Sequence, residues 1–80
     1  MDERALPADG DVLVTRESRS RVIFTVRQLP GVVQFMTSSR DEAVRLAKGF
    51  AMKNAVDVWY CEDGAVRLLE AYRRNEDQAR

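Results

Sequence analysis

The stretch from Ser39 to Leu69 restricts the fold more than any other part of the chain, because it specifies one helix that runs directly into a hairpin. Ser39 and Glu42 have the spacing of a capping box, in which the serine hydroxyl accepts the Glu42 N–H and the Glu42 carboxylate bonds back to the serine N–H. Apolar and small residues then repeat at the spacing of one helical face, at Ala43, Leu46, Ala47, Phe50 and Ala51. The pattern predicts an amphipathic helix that ends near Asn54, a residue type that accepts a left-handed cap. Gly49 lies inside this helix at a cost on the order of 1 kcal/mol relative to alanine, and we interpret it as a point of close packing against a strand.

Residue types and turn chemistry predict the hairpin. Val56–Cys61 is rich in β-branched and aromatic residues, which favour a strand. Asp63 and Gly64 are a favoured pair for a type I′ turn. Ala65–Leu69 then supplies the returning strand, so two antiparallel strands are expected after the helix.

Three further strands are predicted before the helix. The clearest is Arg21–Gln28, in which β-branched and apolar residues alternate with polar ones. A strand that begins at Asp11 and a polar turn over Glu17–Ser20 precede it. A turn over Leu29–Gly31 follows it, since proline restricts φ and glycine tolerates positive φ. The third strand covers Val32–Met36.

The predicted fold class is α+β, with a four- to five-stranded, mainly antiparallel sheet and one helix packed on one face, in the order β-β-β-α-β-β. Residues 11–72 are expected to form this single domain. Residues 1–10 are expected to be a flexible lead-in, and residues 73–80 a polar tail that is frayed or forms a short helix.

The composition limits the ways in which such a chain gains stability. A domain of 80 residues buries only about 60–65% of its unfolded surface. Small domains gain stability from disulfides, metals or oligomerisation. Cys61 is the only cysteine and there is no histidine, which excludes an intramolecular disulfide and disfavours a structural zinc site. We therefore expect no cofactor and no metal, and oligomerisation is the remaining source of stability.

The charge pattern bears on partners and location. Thirteen basic and thirteen acidic residues cancel, so the whole chain has no strong attraction to nucleic acid or to a membrane. No apolar run approaches the roughly 20 residues that a membrane span requires. The acidic start of the chain lacks the features of a secretory signal. Together with the single thiol, which suits a reducing compartment, these features predict a cytoplasmic location.

The helix start Ser39-Arg40-Asp41-Glu42-Ala43 and the Asp63-Gly64 turn carry a resemblance to a known family. They match the Thr/Ser-x-x-Glu-Ala helix start and the Asp-Gly turn of the domain of unknown function 2188 family, a group of small bacterial proteins. The resemblance covers residues 11–72. Phe24 and Cys61 stand where members of that family often have tryptophan and histidine. Membership implies a bacterial protein with a compact α+β fold, and it implies no activity.

Alternation along the strands assigns side chains to the two faces of the sheet. If Val58 and Tyr60 face the helix, Trp59 and Cys61 point to the opposite face. The alternative, in which Trp59 and Cys61 face the core, stays open at this point. We call the face turned away from the helix the open face. The same alternation, applied to every strand, predicts that these residues lie on it: Leu13, Thr15, Ile23, Thr25, Met36, Trp59 and Leu69, together with Arg21, Arg27 and Arg67.

One helix covers only one face of such a sheet, and a large exposed apolar patch usually marks an interface. We therefore predict a homodimer or another protein partner at this face. The candidate interface residues are Leu13, Ile23, Met36, Trp59 and Leu69. In the alternative, the C-terminal tail covers the face through Tyr72.

An arginine cluster suggests a second function. It consists of Arg16, Arg19, Arg21 and Arg27. With Trp59 on the same sheet, these side chains would form a phosphate-contacting and base-stacking platform for nucleic acid. The pI of about 6.2 disfavours this hypothesis, because nucleic-acid-binding domains are usually basic. In the simpler interpretation, the arginines are a solvated hairpin tip that discourages pairing between sheet edges.

Catalysis is not expected. No histidine is available as a base for Cys61, so a nucleophilic role for this thiol is disfavoured. The adjacent carboxylates Asp41-Glu42 and Glu62-Asp63 already have roles in the helix cap and the turn. The predicted function is therefore that of a small, non-enzymatic, cytoplasmic interaction module that self-associates or binds a protein through its open sheet face.

Overall fold

A computed structural model describes residues 6–18 and 20–73 of the chain. The five strands and one helix follow the predicted order. They are β1 (Val12–Ser18), β2 (Val22–Gln28), β3 (Val33–Thr37), α1 (Arg40–Asn54), β4 (Val58–Glu62) and β5 (Ala65–Glu70). The predicted polar turn after β1 begins later than expected, because β1 continues through Ser18. The predictions for residues 1–5 and 74–80, a flexible start and a frayed or helical tail, lie outside the described residues.

The five strands form one mixed sheet in the order β3-β2-β1-β4-β5, with α1 packed on it. Neighbouring strands are antiparallel except for β1 and β4, which are parallel and pair Val12 with Val58 and Val14 with Tyr60. The prediction of a mainly antiparallel sheet omitted this central parallel pair. The helix between β3 and β4 explains it, because a helical crossover returns the chain in the same direction. Since β3 and β1 are both antiparallel to β2, β4 is parallel to β1.

The core lies between α1 and one face of the sheet. Three fully buried alanines, Ala43, Ala47 and Ala51, form the contact stripe of the helix. They pack against alternate residues of β1, β2 and β4, which are Val12, Val14, Phe24, Val26, Val58 and Tyr60. Alternation along β4 therefore places Trp59 on the other face, and the alternative in which Trp59 joins the helix-side core is excluded.

The helix stripe is narrower than the sequence predicts. Leu46 and Phe50 belong to the predicted apolar face, but their exposed fractions are 38% and 37%. Alanine side chains are small, so the helix lies with its alanine stripe against the sheet and turns the two larger residues toward the margin of the core. These residues line a groove beside β3.

The helix N-terminus confirms half of the predicted capping box. The Ser39 hydroxyl accepts the Glu42 N–H at 3.1 Å. The Glu42 carboxylate does not bond back to the Ser39 N–H; it accepts the Thr37 hydroxyl at 2.8 Å. The Ser39 N–H instead donates to the Thr37 hydroxyl oxygen at 3.1 Å. Thr37, the last residue of β3, thus joins the strand end to the helix cap.

The helix ends at Asn54, as predicted, but the left-handed cap falls one residue later. Ala55, with φ of 56°, takes the left-handed cap conformation, and Asn54 is the last helical residue. The Asn54 side-chain amide donates to the Phe50 carbonyl at 2.8 Å, so Asn54 caps a carbonyl from within the helix.

The β4–β5 hairpin turns as predicted but with a different assignment of faces. Asp63 and Gly64 have φ of 56° and 81°, as a type I′ turn requires. A two-residue turn places Trp59 opposite Leu68 and Tyr60 opposite Arg67. Arg67 therefore lies on the helix side, and the prediction that placed it with Trp59 is wrong.

Leu69 also leaves the predicted face. The register of β4 and β5 shifts between Val58 and Trp59, where Val58 pairs with Glu70 and Trp59 with Leu68. Leu69 is the extra residue of this bulge, and it packs against the helix-side core. Leu68, not Leu69, is the neighbour of Trp59 on the open face.

Gly49 has no packing role, contrary to the interpretation from sequence. A Cβ atom at Gly49 would meet no neighbouring atom within 4 Å.

We therefore expect Gly49→Ala to raise the free energy of unfolding by about 1 kcal/mol, because alanine loses less backbone entropy in a helix. Denaturant unfolding followed by Trp59 fluorescence measures the change. Gly64→Ala is the matched control and should destabilise the protein, since φ of 81° at Gly64 strains any side chain. A loss of stability in Gly49→Ala would contradict the prediction.

Candidate functional site

The open face of the sheet, the face turned away from the helix, has buried side chains at its centre. Leu13 lies between Trp59 on β4 and Arg27 on β2, and Leu13 and Trp59 are only 7% and 3% exposed. Thr25 is buried on the same face. Of the predicted interface residues, Ile23 is half-buried and Leu69 lies on the helix side. Of these predicted residues, Met36 alone is exposed on the open face, at 62%.

A buried carboxylate explains part of this closure. Asp11, directly before β1, is 1% exposed, and its two oxygens accept four donors. Oδ2 accepts the Ala8 N–H at 2.9 Å and the Trp59 indole N–H at 2.9 Å. Oδ1 accepts the Asp57 N–H at 3.0 Å and the Arg73 guanidinium. We call this set of residues the Asp11 network.

The Asp11 network joins three distant parts of the chain. Asp57 contributes its carbonyl, which accepts the Val12 N–H at 2.9 Å, and its carboxylate, which accepts the Arg73 N–H at 2.8 Å. The Asp11 carbonyl accepts the Leu29 N–H at 2.8 Å. The loop before β1, the start of β4 and the end of the described chain therefore meet at one carboxylate.

Two opposing effects act on the pKa of Asp11. Burial raises it, because burial disfavours the charged form. The hydrogen bonds from the Ala8 and Asp57 backbone and from the Arg73 and Trp59 side chains lower it, and together they prevail. A carboxylate has about four acceptor positions, so four donors leave none for a substrate. The Asp11 network is thus a structural junction.

Sequence reasoning missed the Asp11 network. It placed Asp11 only at the start of a strand, and it placed residues 1–10 in a mobile lead-in. The local signal was an aspartate three residues after Ala8, since aspartate readily bonds to nearby backbone N–H groups in turns. Trp59, 48 residues away, and Arg73, 62 residues away, carry no local signal of their contact with it.

A second polar cluster lies on the helix side, around Tyr60. The guanidinium carbons of Arg40 and Arg67 lie 5.0 and 5.5 Å from the centre of the Tyr60 ring. The phenol donates to Glu62 at 2.9 Å, and Arg16 is 4.0 Å from the same carboxylate. Burial and then the Glu62 hydrogen bond raise the pKa of Tyr60, so its hydroxyl stays protonated at neutral pH.

The structure does not bring the predicted arginine platform together. Arg16 pairs with Phe24 and lies on the helix side, whereas Arg27 pairs with Leu13 on the open side. Arg21 is exposed just before β2, and Arg19 lies outside the described residues. Trp59 is buried, so its ring is not offered to a nucleic-acid base.

Other candidate chemistry is sparse in the described part of the chain. Cys61 is a half-buried free thiol opposite Val66. Within residues 6–18 and 20–73, no group of three or more histidine, cysteine, aspartate or glutamate residues is placed to hold a metal ion. The same residues contain no helix that is both long and apolar enough to span a membrane.

A surface that the sequence did not single out lies along β3. We call it the β3 edge patch. Its members are the exposed large apolar side chains of β3, of the turn before it and of the adjacent face of α1, namely Val32, Val33, Phe35, Met36, Leu46 and Phe50. Phe35, Leu46 and Phe50 line a common cavity of about 180 Å³ on the helix side of the strand. Sequence reasoning had assigned Leu46 and Phe50 to the core.

The two edges of the sheet differ in charge. No charged residue occurs from Gln28 to Ser39, a run that contains all of β3. The opposite edge, β5, carries Arg67 and Glu70, and Glu70 lies 3.8 Å from Lys48. Charged side chains protect sheet edges from pairing with other strands. The β5 edge has this protection and the β3 edge does not.

Comparisons with known proteins add no further constraint. No protein-family model matches the chain, no curated protein matches it, and no solved structure matches it. Membership of the domain of unknown function 2188 family therefore stays a prediction.

We expect Asp11→Asn to lower the free energy of unfolding by about 3 kcal/mol, because it removes charge-assisted hydrogen bonds and sets an amide against buried donors. Asp9→Asn, the same change at an exposed carboxylate two residues earlier, is the matched control and should have little effect. Denaturant unfolding at neutral pH measures both.

The pH dependence should have a defined sign. Because folding lowers the pKa of Asp11, its contribution is complete above the unfolded value of about 4 and is lost as the pH falls through the lower folded value. Stability of the unaltered protein should therefore fall more steeply below about pH 4 than that of Asp11→Asn. Parallel acid-unfolding curves would contradict this assignment.

Proposed function

We propose that the protein is a small, non-enzymatic interaction module that binds a protein surface through the β3 edge patch. The observation that carries the proposal is the edge strand itself. Every residue of β3 before Thr37 is exposed, no strand of the described chain pairs with its outer edge, and no charge protects it. An apolar edge with free backbone N–H and C=O groups is a template for pairing with another strand.

The proposal changes the place of the interface that the sequence predicts. Leu13 and Trp59 were to be the centre of an open-face interface, but both are buried within the chain. Met36 is common to both proposals, because it points to the open face from the edge strand β3. Association through this region therefore uses the rim of the sheet and not its centre.

Two titratable groups support a non-enzymatic role. The Asp11 carboxylate, whose pKa is lowered, is saturated by four donors. The Tyr60 phenol, whose pKa is raised, is bonded to Glu62. Catalytic groups usually combine a shifted pKa with access to a substrate. Both groups here are held by neighbouring residues of the fold.

Site-specific photo-crosslinking in the cells that naturally produce the protein tests this function. A benzophenone amino acid replaces Val32, which is 78% exposed in the β3 edge patch. The matched control replaces Met52, which is 60% exposed on α1 in a groove with Tyr72. We expect protein adducts from position 32 and few or none from position 52, with the crosslinked peptides identified by mass spectrometry. Equal yields at the two positions, or no adduct at position 32, would refute a role for the β3 edge patch.

Nucleic-acid binding is the alternative that the sequence predicts, and two placements weigh against it. Arg16 and Arg27 lie on opposite sides of the sheet, and Trp59 is buried. We therefore expect short single-stranded oligonucleotides to leave Trp59 fluorescence unchanged at low salt, where phosphate contacts are strongest. A saturable change that disappears at high salt would favour the alternative.

A further inference from the structure

We infer that the occupant of the β3 edge patch is a second copy of this chain, joined by antiparallel pairing of β3 with its own copy. The two copies would share one continuous sheet with five strands from each. This inference rests on the proposed function and specifies its partner.

The absence of charge along β3 favours pairing with itself. In a two-fold antiparallel pair, a residue at the axis lies opposite its own copy, and a residue on one side of the axis lies opposite the residue at the same distance on the other side. Residues close to the axis therefore lie opposite themselves or near neighbours in the sequence. Like charges in such positions destabilise the pair. The run from Gln28 to Ser39 contains none, whereas about a third of the whole chain is charged, with 32% Asp, Glu, Lys and Arg.

The flanking side chains favour a whole second copy over a lone strand from another protein. Phe35 pairs with Val26 and lies on the helix side, next to Leu46 and Phe50 on α1. A two-fold axis perpendicular to the sheet keeps both helices on the same side. Each helix then brings its Leu46 and Phe50 toward those of the other copy. A lone added strand would cover the edge but would supply no second helix.

The geometry of β3 locates the axis. Phe35 pairs with Val26 but Val33 pairs with Arg27, so Gln34 is an extra, bulged residue. Bulges interrupt regular pairing. The regular part of the edge is therefore Phe35–Thr37, and the axis passes through it. Met36, at the centre of this segment, then lies within about two residues of its own copy.

The opposite edge limits the assembly to two copies. The β5 edge carries Arg67 and Glu70, and Glu70 is already 3.8 Å from Lys48; such charges protect a sheet edge from pairing with another strand. A closed dimer is therefore expected in place of a continuing chain of sheets.

Charge substitution at Met36 tests the inference with purified protein in sedimentation equilibrium. The unaltered chain should be a dimer. Met36→Lys and Met36→Glu should each raise the dimer dissociation constant at least about tenfold, because each places like charges together. An equimolar mixture of the two variants should form dimers with one chain of each, and salt should weaken these mixed dimers. Leu68→Lys, the same change on the open face of β5, is the matched control and should remain dimeric.

Each contrary result overturns the inference. It is overturned if the unaltered chain is a monomer, or if Met36→Lys leaves the dimer dissociation constant unchanged. It is also overturned if the mixture of Met36→Lys and Met36→Glu forms no mixed dimers, or if Leu68→Lys weakens the dimer as much as Met36→Lys does. Circular dichroism and Trp59 fluorescence establish that the variants are folded. If the unaltered chain is a monomer but position 32 crosslinks to another protein, self-pairing fails while the proposed function stands. If position 32 also gives no adduct, both fail.

Discussion

The carboxylate of Asp11 is the interaction on which the rest of the structure depends. Its four donors come from the turn before β1, from both sides of the start of β4 and from Arg73. The Val12 N–H bonds to the Asp57 carbonyl beside it, and the parallel β1–β4 pair continues from that point. A buried charge with fewer partners would be strongly destabilising. Full coordination turns it into a junction that aligns the two central strands.

The position of this junction has a consequence for where the protein can bind others. The Asp11 carboxylate holds the Trp59 indole against the sheet, and Leu13 packs beside it in the register of β1 and β4. The centre of the open face is thereby closed. On the helix side, the alanine stripe brings α1 close to the sheet and leaves Leu46 and Phe50 at its margin. Among the described residues, six of the nine exposed large apolar side chains lie in the β3 edge patch.

Several elements were predictable because their causes are local. The capping serine, the Asp63-Gly64 turn and the order of the elements depend on residues close together in sequence. The direction of β4, parallel to β1, is also set by the strand–helix–strand order, and the position of Leu68 opposite Trp59 is set by a two-residue turn. The face of Leu69 was not predictable in this way, because a bulge breaks the alternation on which the prediction depended.

By itself, the sequence determined the helix, the turns, the order of the helix and strands along the chain and a buried apolar face, since these depend on spacing and turn chemistry within short segments. It also determined that the segment from Gln28 to Ser39 has no charge. Only the tertiary structure decided that Trp59 is closed off by Asp11, that Arg16 and Arg27 lie on opposite sides, and that β3 is an outer strand. These facts depend on contacts between residues far apart in the chain, and no local pattern records such contacts.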